Sequence, residues 1–391
     1  MNPGGTIQAA LRGDKAIWAI VLVLSLFSVL VVYSATGSLA WRIAGGDTET
    51  FLFRHGFTLA FGWLLMYLGH RMHYLRYQQA APWLILVAVP LLVFTLFMGV
   101  DINGARRWIQ VPLVGLTFQT SDFAKLALVL YVAREVTRKQ EYIKEFNDAF
   151  LPIIVPVLIV CGLIAPSDLS TALLLFFTCI GIMFVGRVDW KYIALLFLLW
   201  ICVFAFLVLL GEFFPDIIRV DTWVSRVREF VDNPDGDFQV IQSKIAIANG
   251  GWFGLGPGNS IQRNYLPTPY ADFVYAIICE EYGVIGGLIT VGLFVLLFFR
   301  ITRLVTIGTK SFGVMAAAGL GMLIVFQAFA NIAVAVHLVP VTGQNLPLLS
   351  LGGTSVIFTC IYFGVILSVS KFVEETARAE GMVPDSEGEE Y

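Results

Sequence analysis

Charge is what this 391-residue sequence has least of. Asp, Glu, Lys and Arg make up 14% of it, where a soluble domain has about 25%. Hydrophobic residues make up 58%, and the mean hydropathy is +0.81. A chain so poor in charge is an integral membrane protein, not a soluble globule. Cysteine is also scarce. Cys161, Cys179, Cys202, Cys279 and Cys360 all fall in apolar segments and none forms a CxxC pair, which argues against a disulfide framework or a zinc site. The four histidines are scattered and no HExxH occurs, which argues against a zinc hydrolase. No cleavable signal peptide is evident. The first apolar run, Ile17 to Ala35, is long enough to span and lacks a small-residue cleavage site. There is no 20–50-residue repeat, and no nucleic-acid partner is expected.

What is present is a series of apolar runs of about 20 residues, the length that crosses hydrocarbon as a helix. Ten spans are predicted, at roughly 17–35, 52–69, 79–100, 119–133, 151–166, 168–186, 190–213, 271–299, 312–337 and 354–373. The fold class is therefore an all-α polytopic membrane protein with about ten transmembrane helices and a large outer loop between the seventh and eighth. The chain divides into a cytoplasmic N-terminus (1–16), a ten-helix membrane domain (17–374, large extracytoplasmic loop about 214–270) and a disordered acidic cytoplasmic tail (375–391). Fifteen Lys and Arg fall on the side of the termini and nine on the other. Five of those nine sit in the long loop, where the positive-inside rule discounts them. Both termini are predicted to be cytoplasmic.

Four polar clusters converge on the outer face. In "NGARRWIQVPLVGLTFQTSDFAK", Arg106, Arg107 and Trp108 suit a membrane interface, and Asp122 and Lys125 share one helix face. Asp122 follows Ser121, a candidate N-cap, so it also reads simply as a first-turn carboxylate. Lys125 is harder to explain structurally, because it lies a turn deeper in an apolar helix. Asp168 sits at the tip of the "PSD" hairpin, as a cap or a site residue. The long loop brings Arg226, Arg228, Lys244 and Arg263, an amphipathic stretch "WVSRVREFVDNPDGDFQ", and the glycine run "NGGWFGLGPGNS", which matches no nucleotide-binding fingerprint. The uncharged loop "PVTGQNLPLLSLGGTS" offers Ser350, Gly352, Gly353, Thr354 and Ser355 at a helix start, either a plain cap or an anion site. Carboxylates, cations and an anion-binding helix start on one membrane face suit a substrate with a phosphorylated head and a lipid tail.

The segments "NGARRWI", "FQTSDFAKLALVLYVA", "SDLSTALLLF", "QSKIAIANGGWFGLGPGNS", "YLPTPYADFVYAIICEEYG" and "PVTGQNLPLLSLGGTS" carry a resemblance across roughly residues 15–375. The chain resembles the SEDS family of bacterial cell-wall polymerases, and within it the FtsW (divisome) branch more than the RodA branch. The resemblance implies a peptidoglycan glycosyltransferase that polymerises lipid II, a disaccharide-pentapeptide on undecaprenyl pyrophosphate, at the outer face of the cytoplasmic membrane. It implies septal synthesis in cell division, a class B penicillin-binding transpeptidase and divisome membrane proteins as partners besides membrane lipids, and a divalent cation (Mg or Mn) whose ligands are unknown. The family's essential Asp maps onto Asp272, its acid–lysine pair onto Asp122 and Lys125, its Arg-Trp onto Arg107 and Trp108, and its hairpin Asp onto Asp168. The departures are Asp122 where Glu is usual, "PSDLS" where Gln-Pro-Asp-Leu-Gly is usual, so that only Asp168-Leu169 is kept, and Leu351 where an aromatic is usual. A lipid II flippase and a RodA-type elongation polymerase remain the alternatives.

Glycosyl transfer from a diphosphate donor needs a base for the acceptor hydroxyl and positive charge for the leaving group. Asp272 is the expected base. Lys125 and Arg107, with Arg226 or Lys244, are expected to hold pyrophosphate. Asp122 would orient Lys125, and Asp168 would serve a metal or the acceptor. Three acids crowd the stretch Leu266–Gly283. Counting back about 20 residues from Arg300 puts hydrocarbon between Glu281 and Phe299, and Asp272 roughly 12 Å further out. Asp272 is thus expected just above the lipid. Glu280 and Glu281 are expected at its boundary, Glu280 in a structural or cation-paired role.

Overall fold

The structure, a computed structural model, describes residues 12–37, 39, 47–102, 105–110, 117–213, 220–233, 235–308 and 311–379. Ten described helices answer the ten predicted spans. They are α1 (Lys15–Ala35), α2 (Thr48–Arg71), α3 (Tyr74–Met98), α4 (Thr120–Arg138), α5 (Leu151–Ile164), α6 (Leu169–Val185), α7 (Trp190–Phe213), α10 (Val274–Ile307), α11 (Phe312–Ala335) and α12 (Thr354–Ala379). Eight of them, with α5 counted from its leading turn at Phe146, are long and apolar enough to cross a membrane. The other two are α6, apolar but 17 residues long, and α4, which carries Asp122, Lys125, Arg134 and Glu135. α12 runs on to Ala379, so the first residues assigned to a tail are helical, and 380–391 lie outside the described residues.

Small residues put α11 at the centre, with 83% of its apolar window buried against 17% for α7 at the periphery. A Cβ on Gly319 would stand 2.5 Å from Ile182, and one on Gly321 2.2 Å from Ile301, so α6 and α10 approach α11 closely at these positions. α2 and α12 meet likewise, with Gly62 against Cys360 and Gly364 against the Met66 backbone.

The outer face departs from an all-helical reading. Strands β1 (Val100–Ile102), β2 (Ala105–Gln110) and β3 (Thr117–Gln119) form an antiparallel sheet in the order β1-β2-β3, with Trp108 opposite both Val100 and Gln119. Arg106, Arg107 and Trp108 therefore ride on a strand. In the long loop, 214–219 lie outside the described residues, and the rest holds two helices, α8 (Val220–Asp232) and α9 (Phe238–Gly250). The amphipathic stretch breaks between them, where Asp237 caps α9 by accepting from the Val240 N–H at 2.8 Å.

The glycine run packs against a broken helix. α10 is interrupted at Gly283, with φ 69° and ψ −172°. There the Leu255 and Gly256 N–H groups donate to the Glu280 and Glu281 carbonyls at 2.9 and 3.0 Å, and the Val284 N–H donates to the Gly251 carbonyl at 2.8 Å. Irregular backbone at membrane depth persists only where such partners satisfy it. The contact tolerates no side chain: a Cβ on Gly254 would lie 2.2 Å from the Glu281 carbonyl oxygen, and one on Gly283 2.2 Å from that of Trp252.

Candidate active site

Residues 269–273 form a turn ahead of α10, pinned from two sides. The Leu351 N–H donates to the Tyr270 carbonyl (2.8 Å), the Ser350 hydroxyl to the Ala271 carbonyl (2.7 Å) and the Asn331 amide to the Asp272 carbonyl (2.8 Å). The Asn331 amide also donates to the Gln344 carbonyl at 2.7 Å, and Gln327, one turn away on α11, donates to the Asn345 carbonyl at 2.9 Å. Gln344 reaches across to the Thr171 hydroxyl at 2.8 Å. The backbone of Asp272 is thus fixed by the core helix α11, while its carboxylate receives no hydrogen bond from any described residue.

That carboxylate stands where two cavities meet. The inner one, about 370 Å³, is lined by Arg107, Asp122, Lys125, Asp168, Arg226 and Asp272, with Gly352 on the final loop and Ser355 at the start of α12. The outer one, about 680 Å³, lies over α8 and α9 and is lined by Arg226, Glu229, Asp237, Gln239, Asp272 and His337. Asp272, Arg226, Thr268 and Tyr270 belong to both. Arg107 and Lys125 line the inner cavity alone.

The inner cations come with acids attached. Lys125 Nζ lies 2.7 Å from Asp122 Oδ1, both side chains buried, as the i,i+3 spacing predicts. Asp122 Oδ2 is buried and has no hydrogen-bond partner among the described residues. Ser121 does not cap α4; the helix starts a residue earlier, at Thr120, and Ser121 accepts from the Gln119 amide instead. Arg107 reaches from its strand to Asp168 Oδ2 at 3.1 Å and donates from Nε to the Ser167 carbonyl at 2.8 Å. Asp168 also caps α6, accepting from the Thr171 N–H at 3.1 Å, so one side chain caps a helix, pairs with Arg107 and lines the inner cavity. Arg226 projects from α8 and donates to the Val341 carbonyl at 3.0 Å.

Burial pushes the Asp272 carboxyl up from 3.8 to about 6; Arg226 and Arg107 pull it down, and Asp168 pushes it further up. A carboxyl poised there is ionised near neutral pH yet basic enough to take a proton. Burial lowers the Arg226 pKa, as does Arg107, while Asp168, Asp272 and Asp237 raise it.

Not every predicted residue converges here. Lys244 donates to the Asp235 carbonyl at 2.9 Å and lines neither cavity. The Ser350 hydroxyl is engaged between the Ala271 carbonyl and the Leu346 N–H, so it braces the segment that carries Asp272. Gly353 takes φ +51° beside the cavity without lining it. Glu280 is fully buried and accepts from the Ser260 hydroxyl and from the N–H groups of Ile261 (3.2 Å) and Gln262 (3.2 Å). These bonds tie the Ser260–Gln262 segment to α10, and no cation pairs with Glu280 among the described residues. Glu281 accepts from the Ser34 hydroxyl and the Ser260 N–H (3.3 Å), with Arg263 donating to the same Ser34. Gln327, Asn331 and Gln344 went unnoticed in the sequence. The first two were legible as amides four residues apart in an otherwise apolar helix.

Residues 14–375 match the family model for FtsW/RodA/SpoVE cell cycle proteins. A probable peptidoglycan glycosyltransferase FtsW of Halomonas elongata is 31% identical over 95% of this chain and 94% of its own length. Its counterpart in Geobacter sulfurreducens is 32% identical over 95% and 98%. Among solved structures, a chain of a peptidoglycan synthase complex that coordinates polymerization and crosslinking superposes with a TM-score of 0.71 at 26% identity, covering 93% of this chain and 99% of that one. The rod shape determining protein RodA of Thermus thermophilus gives 0.65 at 26%, covering 92% and 97%. With a family match that runs nearly end to end over a polytopic helical fold of the same architecture, this chain belongs to the FtsW/RodA/SpoVE family.

Proposed function

We propose that the chain is a peptidoglycan glycosyltransferase that polymerises lipid II at the outer face of the cytoplasmic membrane, in the septal wall, with both termini cytoplasmic. The observation that carries this is Asp272, a carboxylate without hydrogen-bond donors at the junction of two cavities. Transfer between two lipid-linked sugars needs two binding spaces that meet at a base. Asp272 takes the proton of the acceptor hydroxyl as that oxygen bonds to the anomeric carbon of the donor sugar. The bond from that carbon to the diphosphate breaks, and its electron pair leaves with the phosphate oxygen. Arg107, Lys125 and Arg226 face the charge that develops there. Because Arg107 and Lys125 belong to the inner cavity alone, the donor diphosphate lies there and the acceptor enters through the outer cavity.

The described residues gather no group of three or more metal-ligating side chains. Asp122 and Asp168 are already paired with Lys125 and Arg107. These residues do not fit a protein-built cage, so the implied divalent cation is proposed only as a companion of the substrate's phosphates, and no step runs through it. The transpeptidase partner follows from the solved complex, whose own description couples polymerization to crosslinking.

Purified protein with lipid II in detergent, with its transpeptidase partner present, is expected to make glycan. Asp272→Ala is expected to make none although it melts no lower than the wild type. A transporter of the same lipid would make none in either form, and glycan from Asp272→Ala would overturn the assignment of the base.

A further inference from the structure

Asn331 lies in the core helix α11 and spends its side-chain amide on two backbones at once. It donates to the Asp272 carbonyl at 2.8 Å and to the Gln344 carbonyl at 2.7 Å. Its Oδ1 is buried and has no partner among the described residues. A buried acceptor left unpaired costs stability, so packing alone does not account for an amide at this position.

The second of these carbonyls belongs to the final outer loop, which passes beside the base. Gly343 takes φ +68°, and a Cβ on it would stand 3.9 Å from Asp272 Oδ2. From this loop the bonds continue across the site. The Gln344 side chain donates to the Thr171 hydroxyl on α6 at 2.8 Å. The Thr171 N–H donates to Asp168 Oδ1 at 3.1 Å, and Asp168 Oδ2 pairs with Arg107 at 3.1 Å. Asn331, Gln344, Thr171 and Asp168 are all buried. One connected path therefore runs from the backbone of Asp272 to the guanidinium of Arg107, through α11, the final loop and α6 to strand β2.

We propose that Asn331 and Thr171 are positioning residues that act through Gln344 to set the separation between the Asp272 carboxylate and the Arg107 guanidinium. This rests on the reading that Asp272 takes the acceptor proton while Arg107 faces the leaving diphosphate. Displacement at a single carbon fixes the distance between the attacking and the leaving oxygen. The groups that serve those two oxygens sit on different elements, so their spacing has to be built by something between them. A misplacement of about 1 Å can cost about 100-fold in rate.

The test is steady-state glycan synthesis from lipid II by the full chain with its transpeptidase partner, with rates taken per folded protein. Asn331→Ala is expected to lower kcat about 100-fold with KM within about twofold of wild type. Asn331→Ser, too short to reach the two carbonyls, is expected to give the same result and serves where the alanine variant does not fold. Thr171→Val is expected to lower kcat about 10-fold, and Thr171→Ser, which keeps the hydroxyl, to recover most of that loss. Cutting one path twice costs no more than cutting it once. Asn331→Ala with Thr171→Val is therefore expected to lose about 100-fold, where independent effects would multiply to about 1,000-fold. Leu320→Ala, in the buried part of α11, is expected to lower the melting temperature while kcat per folded protein stays at the wild-type level. The proposal falls if the double variant loses the full product, which would make the two residues separate structural contacts. It falls if Asn331→Ala raises KM at unchanged kcat, which would make Asn331 a binding residue, or if Leu320→Ala lowers kcat as far. A wild type that makes no glycan overturns the reading beneath the proposal, whereas glycan from the wild type with multiplicative losses overturns the positioning path alone.

Discussion

Asp272 and Glu280 stand eight residues apart, and the structure uses them in opposite ways. Glu280 is saturated by a hydroxyl and two backbone N–H groups that together hold the Ser260–Gln262 segment to α10. Asp272 has its backbone pinned by Asn331 and its carboxylate left without donors, facing two cavities. Hydrogen bonds to a carboxylate favour its charged form and weaken it as a base, whereas burial without them does the reverse. The donor count around each acid separates a structural carboxylate from one available to take a proton.

The sharpest way to break this contrast is to neutralise each acid. Asp272→Asn keeps the shape and removes the base, and turnover is expected to fall by about 10²–10⁴-fold with no loss of melting temperature. Glu280→Ala orphans three donors, two of them buried, and a buried donor costs about 1–3 kcal/mol when unsatisfied. It is expected to lose folded protein first, with activity falling in proportion. A Glu280→Ala protein of wild-type stability that no longer turned over would place Glu280 in the chemistry and end the comparison.

The Asp122–Lys125 pair lies between these extremes, since it is buried, ion-paired and still lines a cavity. Lys125→Met strands the Asp122 charge, and breaking a buried pair from one side costs about 3–5 kcal/mol. Adding Asp122→Asn removes the stranded charge and is expected to recover most of that stability. Recovery of stability without recovery of glycan synthesis separates a phosphate-holding Lys125 from a purely structural one. If polymerisation returns with the fold, Lys125 has no part in the reaction.

The sequence carried the helices well because each span is a long apolar run whose meaning is local. The Asp122–Lys125 contact was equally legible, being fixed by helical spacing alone. The three-stranded sheet was not, because strands of three to six residues are too short to show a usable period. Neither was the purpose of the glycine run, since its partners are carbonyls about 25 residues further on, at a break that nothing before Gly283 announces. Lys244 looked like a site cation by charge and side of the membrane, but the direction of its side chain depends on how α9 is rotated against the bundle. Asp168 was ambiguous for a sound reason, because it both caps a helix and pairs with Arg107.

The smallest expected effect is also the most specific to Asp272. With its pKa held near 6, kcat/KM is expected to show an acid limb there, falling about tenfold per pH unit below it. Arg226 is the stronger of the two cations that pull this value down, so Arg226→Gln is expected to move the limb to higher pH. Loss of a phosphate contact alone would lower the rate equally at every pH, so a shifted limb distinguishes the two effects. Stability should respond in the opposite direction. The folded protein holds this proton up to about 6 while the unfolded chain releases it near the ordinary value of 3.8, so stability is greatest below 3.8 and declines until about pH 6. Across that window the wild type therefore gains activity as it loses stability. Asp272→Asn should flatten the contribution of this group to the melting temperature over the same range, and an unchanged slope would show that Asp272 is not the group that titrates.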